Sequence, residues 1–446
     1  MADPPQADGG GAGLPWPGQR RVLVIAAIVC LLTTLVMVLK LRGGDLKDAE
    51  VWYQAGRRVL TGQGLVGLRS YRYPPTFAVM IAPLCALPFS AYCLAWYAIN
   101  LGLFVLSLRL AASLTSPLAG WRDLPRYWLP TLLTALFAID NLFLGQTNIL
   151  VMALVYWTLR EAARNREWRA GISLAAAIAI KVFPAPLIAY FLYRRRLRLV
   201  AASLLTCLFF LVLLPAPARG FQRNLNELTD WGQRVVMPYL SRGQAGDWGQ
   251  HALDFGNQSL QALAHRYLTP VNAYVLARRP RRNMYVNLAE LTAGQVNQVV
   301  LALFAALGLS FVAACGWRRP ARFCQQAAEY SMVVIVLLLV SALSWTYFFV
   351  MMLLPLATTV NLLGLGDRLR SRSRWALRTA LWLWGLATAL VAVPYARALG
   401  NLMWASLIVY AALALACWDL RHAPELKAAH PVRPSSLAMV PPNTAS

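Results

Sequence analysis

The stretch Arg169-AGISLAAAIAIKVFPAPLIAYFLY-Arg194 decides how this chain is built. About 24 apolar residues separate two basic clusters, room for one bilayer crossing or for two short helices. One crossing would put Arg160 to Arg169 and Arg194 to Arg198 on opposite sides, against the tendency of arginine-rich loops to stay cytoplasmic. Two short helices meeting at Lys181-Val182-Phe183-Pro184 keep both clusters on one side. They also account for Pro184 and Pro186, which would otherwise break a helix.

The same parity argument extends along the chain. Basic clusters at Arg20-Arg21, Arg160 to Arg169, Arg194-Arg195-Arg196 with Arg198, Arg318-Arg319 with Arg322, and Arg368 to Arg374 are all assigned to the cytoplasm. Tyr127–Arg160 then divides into two helices meeting at Asp140 to Asn148. Ser331–Leu363 divides at Ser344-Trp345-Thr346-Tyr347. One crossing, about Ala91 to Leu110, lies between Lys40 and Arg109, with the proline-bounded Pro74 to Pro88 as a short or re-entrant segment beside it. The apolar run Val22 to Leu39 lacks a small-residue cleavage site and reads as a retained first helix.

The fold expected is an all-α polytopic membrane protein with about twelve transmembrane helices and both termini cytoplasmic. Residues 1–21 form a cytoplasmic tail. Residues 22–420 form the transmembrane domain, with two large outer loops at about 41–73 and 215–291. The second loop carries Arg278, Arg279, Arg281 and Arg282, tolerable because long loops escape the charge rule. The Pro/Ser/Ala-rich residues 421–446 read as a disordered cytoplasmic tail.

Composition supports this class. The 446 residues are 59% hydrophobic and only 13% charged, too few charges to coat a soluble chain of this length. The net charge of +24 would suggest nucleic acid in a soluble protein, but here it reflects basic cytoplasmic loops, and no nucleic-acid partner is expected. The seven cysteines lie in or beside apolar runs without zinc-site spacing, and the four histidines are scattered. Neither disulfides nor a protein-bound metal is expected.

This topology gathers the uncommon polar residues on the outer face: Asp45 and Asp48, Asp140 with Gly145-Gln146-Thr147-Asn148, Lys181, Asn257-Gln258-Ser259, and Ser344 to Tyr347. Irregular backbone at helix tips is tolerated in a membrane where it lines a cavity, so these residues define a candidate site. Leu46 to Leu60 reads as an interfacial helix with Val51, Trp52, Ala55 and Val59 on its apolar side and Asp48, Arg57 and Arg58 as polar positions, ended by Gly62 and Gly64. Asp48 either offsets the helix dipole or meets a lipid-borne substrate. Lys181, a cation in an apolar run, either pairs with Asp140 or meets a substrate phosphate. Arg57, Arg58, Arg69 and Arg72 add outer cations suited to a phosphate-bearing lipid. Pro74-Pro75 starts a helix. Asn257-Gln258-Ser259 by itself is an ordinary turn, and Trp52, Tyr53, Trp345 and Tyr347 are interfacial or sugar-stacking aromatics.

Taken in order, these motifs resemble glycosyltransferase family 87 of the GT-C superfamily, which includes polyprenol-phosphate-mannose-dependent mannosyltransferases. The matching residues are Asp48 with Trp52, Tyr53, Ala55 and Gly62; Tyr73-Pro74-Pro75; Gly145-Gln146-Thr147-Asn148; Lys181 to Pro184; Asn257-Gln258-Ser259-Leu260; and Ser344-Trp345. They span roughly residues 22 to 365. One departure is Tyr347, where the family commonly has histidine; a phenol donates a hydrogen bond but carries no positive charge.

The resemblance implies a GT-C-like bundle in the inner membrane of a bacterial cell that transfers a sugar, mannose foremost, with inversion. The donor is a polyprenyl-phosphate sugar, and the acceptor is a glycolipid or glycan hydroxyl on the non-cytoplasmic face. Asp48 is implied as general base, with Asp45 the alternative. Lys181 and Arg58 are implied to face phosphate, and Gln146, Asn148, Asn257, Gln258, Tyr347, Trp52 and Tyr53 to bind substrate. No cofactor is implied, because the lipid-linked donor is a substrate, and the remaining partners are membrane lipids. Two other readings compete. A lipid-linked-sugar flippase or transporter should show internal repeats, and none is visible. An inactive scaffold relative is motivated by Tyr347.

Overall fold

The computed structural model describes residues 28–29, 31–41, 47–68, 71–116, 127–242, 246–275, 283–320, 322–366 and 369–422. Among these residues the fold is helical, with one isolated bridge, Asn257 to Trp345. Helix α1 (Leu31–Leu41) precedes α2 (Lys47–Leu60), α3 (Pro75–Ile81) and the long α4 (Phe89–Thr115). Two helical pairs follow, α5 (Trp128–Leu144) with α6 (Asn148–Ala163), and α7 (Glu167–Ile180) with α8 (Pro186–Tyr193). Helix α9 (Leu197–Leu208) runs through a π-helical turn into α10 (Ala216–Arg219). Then come α11 (Phe221–Trp231), α12 (Met237–Arg242) and α13 (Leu260–Leu268). The last third comprises α14 (Ala293–Cys315), α15 (Phe323–Val340), a 3-10 turn over Thr346–Met352 leading into α16 (Leu353–Leu363), α17 (Ser371–Ala389), α18 (Pro394–Ala398) and α19 (Asn401–His422).

Local chemistry sets several of these ends. Pro75 and Pro186 begin α3 and α8, where a missing N–H costs nothing. Ser259 caps α13 by accepting from the Ala262 N–H, and Thr292 with Gln295 forms a capping box on α14. Helix α5 stops at Gly145, whose φ of +68° belongs to the left-handed region. Helix α7 packs against α6 and α9. At Gly171 a Cβ would sit 2.5 Å from Ala202 Cβ, so the α7–α9 approach needs glycine.

The three helix divisions read from the sequence fall where expected: at Gly145 to Thr147, at Lys181 to Ala185, and at Ser341 to Trp345. Helix α2 occupies the stretch expected for the interfacial helix. About twelve crossings were expected; among the described residues seven helices are long and apolar enough to cross a membrane, with shorter apolar helices between them. Helices α5, α6, α7 and α8 are shorter, because the breaks truncate them. Of the segments expected as large outer loops, the first holds α2, as read from the sequence, and the second holds α10 to α13. Helix α19 runs to His422, just past the expected boundary at 420, while residues 1–27 and 423–446 lie outside the described residues.

The arginine-rich ends are tied together by buried contacts. Arg194 forms a bidentate pair with Glu329, Nε and Nη2 each 2.6 Å from a carboxylate oxygen, and Nη1 donates to the carbonyls of Gly316 and Arg318. Tyr190 donates to the same carboxylate at 2.6 Å. Asp419 accepts from Arg372 and Ser373, joining α17 to α19.

Candidate active site

The breaks at the ends of α5, α7 and α15 open onto one cavity of about 430 Å³, and the first turn of α2 closes one side of it. Asp48, Gln146, Lys181, Arg72, Tyr73 and Tyr347 supply its polar lining. Trp52, Phe183, Trp231, Leu343, Trp345 and Phe348 supply much of the apolar lining. The chamber is thus mostly apolar with a few charged groups, the character of a small-ligand site.

Asp48 reaches this cavity because α2 docks tightly onto the α5–α6 break. Gly145 makes that possible: a Cβ there would lie 2.8 Å from Ala49 Cβ. The Gly145 carbonyl accepts the indole N–H of Trp52 at 3.2 Å and that of Trp96 at 2.9 Å, locking α2 and α4 to the same turn. Gln146 then donates to Asp48 Oδ2 at 2.6 Å. Burial raises the Asp48 carboxyl above the usual carboxylate range, opposed by the Gln146 hydrogen bond and by the charge of Lys181.

Lys181 follows the last turn of α7 and is extended, which turns its side chain out of the helix. Its Nζ donates to Asn148 Oδ1 at 2.7 Å and lies 3.8 Å from the centre of the Phe348 ring. Pairing with Asp140 does not occur: among the described residues, Lys181 forms no ion pair. Its hydrogen-bond and ring partners, Asn148 and Phe348, are uncharged, and Asp48 on the same lining acts on it through its charge. Tyr73 is hydrogen-bonded to Thr147 at 2.9 Å, and Trp231 donates to the Arg72 carbonyl at 3.0 Å, fixing two further walls.

The remaining candidates fall elsewhere. Asn148 lies behind Lys181 as its support. Asn257 and Gln258, expected to bind substrate, are fully buried away from the cavity. Asn257 donates to the Ala252 and Ala342 carbonyls and accepts the Ser344 N–H at 2.8 Å, and the Gln258 side chain donates to the Phe255 and Arg397 carbonyls. They clamp the backbone of 342–345, which forms a cavity wall. Tyr53 donates to the Leu87 carbonyl and packs on Phe89 and Tyr92, and Arg58 donates to the Gly64 carbonyl; neither lines the cavity. Asp45 and Arg69 lie outside the described residues. Sequence reasoning missed Trp96, Asn141 and Trp231. Asn141 carried a signal, an amide in an apolar run; the tryptophans carried none.

No solved structure matches the chain significantly. A polyprenol-phosphate-mannose-dependent alpha-(1-2)-phosphatidylinositol mannoside mannosyltransferase of Mycobacterium tuberculosis is 27% identical over 345 residues, 71% of this chain and 70% of the relative. The protein of the same description from Mycolicibacterium smegmatis is 27% identical over 397 residues, 81% of this chain and 79% of the relative. The sequence profile of glycosyltransferase family 87 matches residues 71–342, more than half of the chain, which therefore belongs to that family.

Proposed function

We propose that the protein transfers mannose from polyprenyl-phosphate-mannose to a hydroxyl of a phosphatidylinositol mannoside-type glycolipid, with inversion, on the non-cytoplasmic face of the membrane. The acceptor hydroxyl attacks the anomeric carbon while Asp48 takes its proton. The bond from that carbon to the phosphate oxygen breaks, and the electron pair leaves with polyprenyl phosphate. Lys181, with Arg72 on the same lining, offsets the charge that develops there. The apolar remainder of the cavity suits the first isoprene units.

The observation that carries this reading is that Asp48 and Lys181 line one cavity without forming an ion pair with each other. The described relatives use this donor and act on this acceptor class. Helix direction supports that face: α6 and α7 run between the cavity and the arginine cluster at Arg160 to Arg169, and arginine-rich loops tend to stay cytoplasmic.

The test is purified protein in liposomes with polyprenyl-phosphate-mannose and phosphatidylinositol mannosides. A mannosylated lipid whose new anomeric configuration is opposite to the donor's, lost in Asp48→Asn, is expected. Movement of the donor across the bilayer without transfer would mark a transporter instead. Full activity in Asp48→Asn with loss in Asp45→Asn would move the base to Asp45.

A further inference from the structure

The amides behind Lys181 form a chain with a fixed direction. Asn141, on α5, is buried at 1% exposure. Its Nδ2 donates to the carbonyls of Phe137 at 2.7 Å and Tyr347 at 2.6 Å. Carbonyl oxygens only accept, so the nitrogen of the Asn141 amide must face them and its Oδ1 must face away. There it accepts from Asn148 Nδ2 at 3.0 Å. Asn148 is left with its Oδ1 toward Lys181 Nζ. Reversing either amide would set two acceptors or two donors against each other, at a cost typical of an unmade buried hydrogen bond.

The same asparagine acts on the other side of the lysine. The Tyr347 carbonyl belongs to the 3-10 turn that carries Phe348, the ring facing the ammonium. Asn141 therefore sets both supports of Lys181, an amide oxygen and an aromatic face. Neither is anionic. One of the three ammonium hydrogens is used by Asn148, and the charge and the other two hydrogens remain for an anion.

We propose that Asn141 is a positioning residue that holds the Lys181 ammonium toward the phosphate of the lipid donor, by orienting Asn148 and by pinning the Tyr347–Phe348 turn. This inference rests on the phosphate-binding role given to Lys181 above. The titratable and charged groups around the relay are Lys181 itself, Asp48, Arg72, Tyr73 and Tyr347, which line the cavity with it, and Asp140, beside Asn141 on α5, with Lys40 and Arg397 acting on it. All are shared by the parent and the Asn141 variants, so the comparison between those is made at equal pH.

Asn141→Asp, Asn141→Ala and Lys181→Met are compared with the parent in nanodiscs, from about pH 5.5 to about pH 8.5. Binding of a short-chain polyprenyl phosphate is followed by quenching of tryptophan fluorescence, Trp231 and Trp345 being in the cavity wall. Mannosyl transfer is measured in parallel. A protonated carboxyl at 141 keeps one donor for the Tyr347 carbonyl and one acceptor for Asn148; an ionised one has no donor. N141D is expected to bind within about twofold of the parent at the acid end and at least about tenfold more weakly at the alkaline end. N141A and K181M are expected to bind weakly throughout.

A constant N141D-to-parent ratio at every pH would overturn the relay, whether the constant is parental or reduced. Loss in K181M alone would do the same while leaving the donor role of Lys181 intact. K181M binding like the parent would overturn both the relay and that role. The expected binding pattern without any mannosyl transfer by the parent would sustain the relay and sink the transferase reading. Should N141A fail to fold, the pH trend of N141D still decides.

Discussion

At the scale of single residues, the pH response of the proposed reaction follows from Asp48. Its carboxyl titrates above the ordinary range because burial outweighs the Gln146 hydrogen bond and the Lys181 charge. A base must be ionised to accept a proton, so kcat/KM is expected to fall as pH drops through that raised value. Gln146→Leu removes a hydrogen bond that favours the ionised form, and the acid limb of the profile should then move to higher pH. A limb unchanged in Gln146→Leu would show that the amide does not tune the acid. Asp48→Asn should lower the rate by about 10²- to 10⁴-fold, the usual contribution of a general base. Asp48, Gln146 and Lys181 were legible in the sequence because charge and amide groups stand out in apolar runs. The partner of Asn141 was not, since a backbone carbonyl 206 residues away leaves no trace in residue type. The placing of Asn257 and Gln258 was not legible for a related reason: a polar triplet looks the same whether it faces a cavity or, as here, buried carbonyls.

At the scale of elements, the turn between α5 and α6 carries more than its length suggests. Gly145 lets α2 approach, receives two indoles and precedes the amide that holds Asp48. Gly145→Ala combines a left-handed φ with a 2.8 Å approach to Ala49, so α2 must retreat. Transfer should drop more steeply than a melting midpoint would predict, because Asp48 moves with α2. Equal activity in that variant would show that the carboxylate is not held by this contact. At the opposite end, Arg194→Ala leaves Glu329 buried among groups arranged for its charge, a change that typically costs about 3–5 kcal/mol. A clear loss of thermal stability in detergent is expected, with residual activity at permissive temperature. The breaks themselves were visible in the sequence through Pro184, Pro186 and Gly145. The docking of α10 to α13 was not, since amphipathic helices in a long polar segment resemble a loop when only hydrophobic runs are counted. The pair of Arg219 with Glu227, whose carboxylate also accepts the Leu65 N–H, ties this region to the segment after α2.

At the scale of the whole molecule, the clusters at Arg160 to Arg169 and Arg194 to Arg198 lie at the far ends of α6, α7 and α8 from the cavity. Arginine spacing made those reversals legible. The lengths of the helices were not, because parity counts reversals of direction and says nothing of helix length. The lengths have a consequence of their own. Helices of 16 and 14 residues, α6 and α7, extend only about 24 and 21 Å against a hydrocarbon layer of about 30 Å. Where such a short helix faces lipid, the bilayer thins locally to meet it. Transfer is therefore expected to be faster in bilayers of short acyl chains than in long ones, measured at equal donor density; indifference to chain length would place the truncated helices away from lipid. If the trend holds, the reaction centre occupies a dimple in the leaflet. A prenyl-anchored sugar could then arrive by lateral diffusion alone, and membrane thickness would become a throttle on the enzyme.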